Sequence, residues 1–228
     1  VFVEVGQSFI ELVSCVLDGN SAFRGGGSYG NAGFQSCMVS NNIAQENGGG
    51  AFFTGLVQNT TFEGNHAQNG GGAYGAALIH TPSYPLGPNF EPQARFIDNT
   101  ATNQGGGAVL FASIFSFDFE AGITGILHQC YFRGNTAAIG GGAHVSVSTG
   151  LNQYHGFSIT SCAFANNSAV VGDGIFVVKV TTQPASIGIT SSSFDGDGIG
   201  GAIPSVYACI FRNVQSPFSA LSFTPLVV

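Results

Sequence analysis

Two pairs of carboxylates stand one residue apart in this chain, Asp118 with Glu120 and Asp195 with Asp197. Side chains two residues apart on a strand leave the same face. Each pair therefore offers two acids to one site, as glycoside hydrolysis or a calcium ion requires. Asp195 and Asp197 lie in FDGDGIGG, a calcium-loop-like stretch that lacks the remaining ligands at loop spacing. They are the calcium candidates of the chain, with a structural role at a bend as the competing reading for Asp197. Five cysteines, Cys15, Cys37, Cys130, Cys162 and Cys209, carry thiol chemistry in principle. No CxxC or HxxxH spacing accompanies them, which argues against zinc. Histidines 66, 80, 128, 144 and 155 share no spacing, and His80 and His155 fall in or beside loops. The glycine triplets lack the Lys-Ser/Thr of a phosphate loop. No catalytic residue, metal or cofactor is assigned, and the chain reads as a non-enzyme.

The elements that position these residues are repeats. SCVLDGN ends at Asn20, SCMVSNN at Asn42, NTTFEGN at Asn65, QARFIDN at Asn99, QCYFRGN at Asn135 and SCAFANN at Asn167. Five residues before each asparagine is a small residue, and three before it a large apolar one. The apolar series includes Phe62, Phe96, Phe132 and Phe164, and a seventh copy supplies Phe194 with Asp197 in the asparagine slot. Glycines follow at 25–27, 48–50, 70–72, 105–107 and 140–142. Convincing amphipathic helices are absent, while Cys-x-Phe alternates with the strand period. Short strands separated by glycine turns about every 22 residues define a minimal coil of a stacked solenoid.

The expected fold is thus all-β, a parallel β-helix of about seven or eight coils. Phenylalanines form an internal ladder, asparagines pass amide hydrogen bonds between coils, and glycines turn the corners. The cysteines share one inward position and read as small buried hydrophobes. Cys15–Cys37 and Cys130–Cys162 are close enough for disulfides by distance alone, although in-register stacking disfavours the bond geometry. The expected organisation is one domain over 1–228, with repeat anchors over about 10–214, as a segment of a longer chain.

The FxxN and GGA-hydrophobic motifs resemble those of the chlamydial polymorphic outer-membrane protein family. Phe62-Glu63-Gly64-Asn65 with Gly71-Gly72-Ala73-Tyr74 carries the resemblance. Phe96 to Asn99 with Gly106-Gly107-Ala108-Val109, Phe132 to Asn135 with Gly141-Gly142-Ala143, and Phe164 to Asn167 extend it. The resemblance implies a right-handed parallel β-helix at the cell surface, with adhesion as its usual role. Similar repeats occur in surface proteins of algae and other microbes, so no organism follows. No transmembrane β-barrel segment is recognisable in these residues, so autotransport is not implied.

Composition agrees with an extracellular or surface-displayed rod. Only 7% of residues are charged and the formal net charge is −7, which excludes nucleic acid and anionic membrane surfaces as partners. No run is long enough for a spanning helix. Longer repeats carry insertions at 80–92, 114–126, 149–156 and 181–187, expected on one flank after the glycine-led strand. Those insertions place Tyr84, Phe90, the phenylalanines on either side of Ser116 (Phe115 and Phe117), Phe119, Tyr154 and His155 as candidate contacts. Their partners would be other protein chains, including self-association into a fibre, or carbohydrate. Asn59 and Asn166 head N-glycosylation sequons. Three functions stay open: an adhesive module, a fibre subunit, and a polysaccharide lyase or hydrolase. The last needs stacked acids, often beside a basic group, whereas 12 acids are spread thinly and Lys179 is the single lysine.

Overall fold

The computed structural model describes residues 10–79, 94–112, 123–147, 156–179, 186–201, 205–214 and 218–219. Among them there is no helix, and every strand pairing is parallel. Three stacked sheets take successive segments of the coils: an 8-stranded sheet carrying the phenylalanines, a 4-stranded sheet formed by the first four coils, and a large 14-stranded one. The eight strands of the phenylalanine sheet run from Val16–Asp18 to Ile210–Arg212 and number the coils. The expectation of stacked, in-register parallel coils is met.

Register explains the core. Phe62, Phe96, Phe132, Phe164, Phe194 and Phe211 are consecutive partners in the phenylalanine sheet. Their rings lie 4.7–5.1 Å apart and within 10° of parallel. Each ring therefore covers the face of the next and hands burial along the stack. Leu17 and Val39 continue the row in the first two coils. Small alanines face the same interior from the large sheet, among them Ala51, Ala73, Ala108 and Ala143, all fully buried. The large rings and small methyls fill one section of the solenoid between them.

The corners are set by left-handed residues. Between the phenylalanine sheet and the small sheet they are Gly19, Asn41, Gly64, Asp98, Gly134, Asn166, Gly196 and Asn213, all at positive φ. Glycine and Asx alternate strictly from coil to coil. Both tolerate this backbone, and the alternation has a packing reason. The side chain of Asn41 lies over Gly64 (a Cβ there would stand 3.0 Å from Asn41 Oδ1), and Asp98 lies over Gly134. An Asx on one coil occupies the space that glycine leaves on the next.

Each member of the glycine triplet answers a different demand. In 140–142, Gly140 has φ 66° and turns the corner. A Cβ on Gly141 would meet the carbonyls of Asp173 and Ser168 at 2.6 Å, and one on Gly142 would press on Phe164 Cδ1 at 3.1 Å. The reading of these glycines as a corner holds for the first. The other two admit the backbone, the phenylalanine and the asparagine of the following coil.

The longer coils show where extra chain is accommodated. Ala51–Gln58 is one uninterrupted strand of 8 residues across the large sheet. In later coils the same path is divided into Ala108–Ala112 and Ile123–His128, Ala143–Val147 and Gly156–Thr160, and Ile175–Lys179 and Ser186–Thr190. Both halves keep register with their predecessors. Residues 113–122, 148–155 and 180–185 thus enter at one point of the coil, as expected. The insertion at 80–92 departs from that expectation. Ala73–Ile79 runs beyond the branch point, pairing through Leu78 and Ile79 with the later half-strand Ile123–His128. That insertion therefore leaves one half-strand further along the coil.

A pair of glycine substitutions separates close packing from backbone conformation. Gly106→Ala places a methyl within 2.6 Å of backbone atoms of Thr136 and Gly141, so it should cost about 3 kcal/mol or more in urea unfolding. Gly188→Ala meets nothing within 4 Å and should change stability by less than about 1 kcal/mol. Equal effects would refute the stacking account of the triplet.

Candidate functional site

The polar groups that the sequence singled out are mostly interior, and the asparagines form a continuous ladder. The backbone N–H and Nδ2 of Asn20 both donate to Asn42 Oδ1 at 2.9 Å. Asn42 does the same to Asn65, Asn65 to Asn99, Asn99 to Asn135 and Asn135 to Asn167, all within 2.8–3.0 Å. The second Nδ2 hydrogen reaches backwards: Asn99 to the carbonyl of Phe62, Asn135 to that of Phe96, Asn167 to that of Phe132. Each amide from Asn42 to Asn167 links three coils and is buried, whereas the exposed Asn20 bonds to Asn42 and to Asp18 of its own coil. A buried polar side chain is tolerated because its lone pairs and protons find partners.

The cysteines sit inward in the core, as the sequence reading has them, and they also take part in hydrogen bonds. Cys37, Cys130 and Cys162 are buried and Cys15 and Cys209 half-buried against the apolar core. Each follows a residue at positive φ (Ser14, Ser36, Gln129, Ser161, Ala208) and points its sulfur at the carbonyl two residues back, at 3.3–3.4 Å. Thr60 and Ser192 occupy the same slot with hydroxyls bonded to Gln58 and Thr190. Their oxygens also accept from the backbone N–H of the preceding coil, Cys37 to Thr60 and Cys162 to Ser192, both at 3.1 Å. Cys15 N–H likewise points to Cys37 Sγ at 3.5 Å. The slot is an interior one shared by thiols, hydroxyls and the fully buried Ala94, and its sulfur or oxygen is hydrogen-bonded where the side chain carries one. All five thiols are free, and burial pushes those of Cys37, Cys130 and Cys209 above the ordinary value, Cys130 most.

The second carboxylate pair is not a pair in space. Asp195 ends its strand, exposed, and accepts from Asn213 Nδ2 at 2.8 Å. Gly196 at φ 76° turns the chain, and Asp197 faces inward, fully buried, with Asn167 donating to both its oxygens. The shared strand face required of two calcium ligands is interrupted by that corner. Asp118 and Glu120 lie outside the described residues, as do Tyr84, Phe90, Phe115, Phe117, Phe119, Tyr154 and His155. Among the described residues no cluster of three or more metal-binding side chains occurs. Asn59 and Asn166 are exposed at left-handed corners, and Asn59 Nδ2 donates to Ser36 Oγ at 3.2 Å.

One surface feature arises at the hydrophobic slot that follows the glycine triplets. Tyr29, Phe52 and Tyr74 are register partners on the outward side of the large sheet, half-exposed and stacked at 5.1 and 5.4 Å. Phe111 meets Tyr74 edge-on at 5.2 Å. Further along the same row Val109 and His144 are buried, and His144 stacks on Phe176 at 5.7 Å. Burial holds the His144 imidazole toward its neutral form.

These features define a parallel β-solenoid with hydrogen-bonded ladders inside and its interruptions concentrated on one sheet. The Chlamydia polymorphic membrane protein (Chlamydia_PMP) repeat matches residues 59–75. That stretch spans the corner at Asn59, the Phe62 and Asn65 rungs, and the glycines leading to Tyr74. No curated protein and no solved structure matches the chain.

Both ladders make quantitative demands. Asn99→Ala leaves the N–H and Nδ2 of Asn65, the carbonyl of Phe62 and Oδ1 of Asn135 each a partner short. It should cost on the order of 3 kcal/mol or more in chemical denaturation. Thr60→Val, which keeps shape but removes the oxygen bonded by Cys37 N–H, should cost about 1–3 kcal/mol. Thr60→Cys, which installs the residue native to the Cys37 rung, should lose clearly less. A Thr60→Val protein as stable as the parent would return the slot to a purely hydrophobic one.

Proposed function

We propose that the chain is the rod of a cell-surface protein, a closed right-handed parallel β-helix that displays its insertions as an adhesive surface. The cyclic order of the three sheets supports closure, and the near-universal right-handedness of parallel-strand crossovers supports the hand. The observation that carries the functional reading is the division of one strand path in successive coils without loss of register. A scaffold that spends insertions at a single point aligns them in a column, and in repeat proteins such columns are often binding faces. Tyr84, Phe90, Phe115, Phe117, Phe119, Tyr154 and His155 supply the aromatic contacts to protein or carbohydrate. The half-exposed stripe of Tyr29, Phe52 and Tyr74 lies on the same sheet. Surface display rests on the polymorphic membrane protein repeat at residues 59–75, and the exposed Asn59 and Asn166 are open to glycosylation in a eukaryotic host. End-to-end association into a fibre is compatible with the same rod.

A lyase or hydrolase would need carboxylates gathered across coils, and the separation of Asp195 from Asp197 gives that reading no support. The test is to shorten 113–122, 148–155 and 180–185 together, joining each divided strand in the manner of Ala51–Gln58. The shortened rod should keep its far-ultraviolet circular dichroism and lose at least about tenfold in binding to host-cell surfaces or glycan arrays. Undiminished binding would refute the loop column, and release of reducing sugars by the parent rod would favour the enzyme.

A further inference from the structure

The amide ladder has a direction, and it stops at a residue that cannot continue it. Every rung from Asn20 to Asn135 donates forward from its N–H and Nδ2 to the next Oδ1. Asn167 donates instead to a carboxylate, N–H to Asp197 Oδ1 at 2.8 Å and Nδ2 to Oδ2 at 2.6 Å. Asp197 is fully buried. The slot that follows in the eighth coil is Val214, which has no acceptor to offer. The earlier pattern also places a backbone carbonyl behind each rung, and for this one the counterpart of Phe96 and Phe132 is Phe164. An ionised Asp197 has no proton to give that carbonyl. A neutral one has one acceptor oxygen and one hydroxyl donor, enough for the acceptor and the backward bond of an asparagine rung but without its forward donor.

We propose that Asp197 is an acid-responsive terminus of the ladder: protonated, it serves as an asparagine and holds coils seven and eight closed, and ionised, it loosens them. The surroundings favour this role. From the preceding coil it faces Asn167 and Asp173, whose Oδ1 accepts from Ala169 N–H at 2.7 Å. On its own coil Asp195 is exposed and bonded to Asn213, and on the next Arg212 is exposed on the outer face. Asp173 and Asp195 both add like charge. Among the described residues the one ion pair is Arg24–Glu46, in the first two coils, so no described cation is paired with the Asp197 carboxylate. A buried charge without a cation is costly.

Desolvation raises Asp197 from 3.8 to about 6 against the hydrogen bonds from Asn167 that lower it. A folded-state value above the unfolded one means that the stabilisation is fully present below pH 3.8 and is lost as the pH rises through 6. The corresponding shift in the local opening equilibrium is up to roughly 100-fold. Opening would expose the strand edges of the last coils, Ser193–Asp195 and Ile210–Arg212 among them.

Hydrogen exchange of the whole chain at pH 4.5 and 7.5, corrected for intrinsic rates, tests the proposal. Amides of 186–201 and 205–214 should lose tens-fold in protection at the higher pH, while those of 94–112 change little. Asp197→Asn, whose side chain does not titrate, should abolish the difference between the two pH values. Asp195→Asn and Asp173→Asn should keep a pH response. The idea fails if Asp197→Asn retains the full response, or if the parent protein shows none.

Discussion

Every coil of this protein depends on having a neighbour directly above and below it. Parallel, in-register stacking carries each residue onto its equivalent in the next coil, so a group that satisfies itself by reaching one coil along can be repeated indefinitely. Phenylalanine does this with ring faces, asparagine with an amide that both donates and accepts, and the cysteine slot with a thiol or hydroxyl between two backbone groups. None of these arrangements closes within a single coil. An isolated coil would leave an amide, a thiol and a ring face uncovered, so stability is a property of the stack.

The same rule governs which parts were legible in the sequence. The Phe and Asn rungs were readable because their residue type is repeated, and repetition at one spacing leaves little but stacking to account for it. The cysteine slot was half-readable: its inward position followed from the spacing, whereas its hydrogen bonds are signalled only by the exchange with Thr60 and Ser192. The Asp195/Asp197 pair misled because strand periodicity was extended through Gly196, whose left-handed backbone turns one carboxylate in and leaves the other out. The aromatic stripe of Tyr29, Phe52 and Tyr74 fills the hydrophobic slot of the glycine-led motif, but that slot also holds Val109 and His144, so three stacked rings did not stand out from the motif alone. Among the insertions, 80–92 shares the apparent position of the others in a one-dimensional alignment. Its different exit point depends on how far the strand Ala73–Ile79 continues.

Variation along the rod is as informative as repetition. At the corner between the phenylalanine and small sheets, glycine alternates with Asx over eight coils, giving the surface a period of two coils although the core has a period of one. At the glycine triplet, Asp173 replaces the second glycine in the sixth coil. The small sheet has its last strand at Thr100–Gln104 in the fourth coil. The fifth and sixth coils keep isolated bridges between Thr136 and Ser168 and between Ile139 and Val171, and the seventh passes from Ser193–Asp195 to Ile199–Gly201 with neither. The backbone that excludes a side chain at Gly141 is therefore not repeated above Asp173, and the exception to the motif marks a change in the coil beyond it.

Directionality separates this ladder from a simple stack of apolar rings. A phenylalanine column is symmetric along its axis, so a smaller apolar residue such as Leu17 or Val39 can take a place in it with only a loss of contact area. A column of amides that donate towards one end must supply an acceptor at that end and can leave free donors at neither. Asparagine in the last slot would give Asn167 its acceptor but carry an amide donor towards Val214, which has nothing to receive it. A carboxylate gives Asn167 two acceptors and carries no donor forward when ionised, at the expense of a buried charge. The ladder is terminated by chemistry and not by running out of residues, and the choice between amide and acid at that slot sets how firmly the final coils are held.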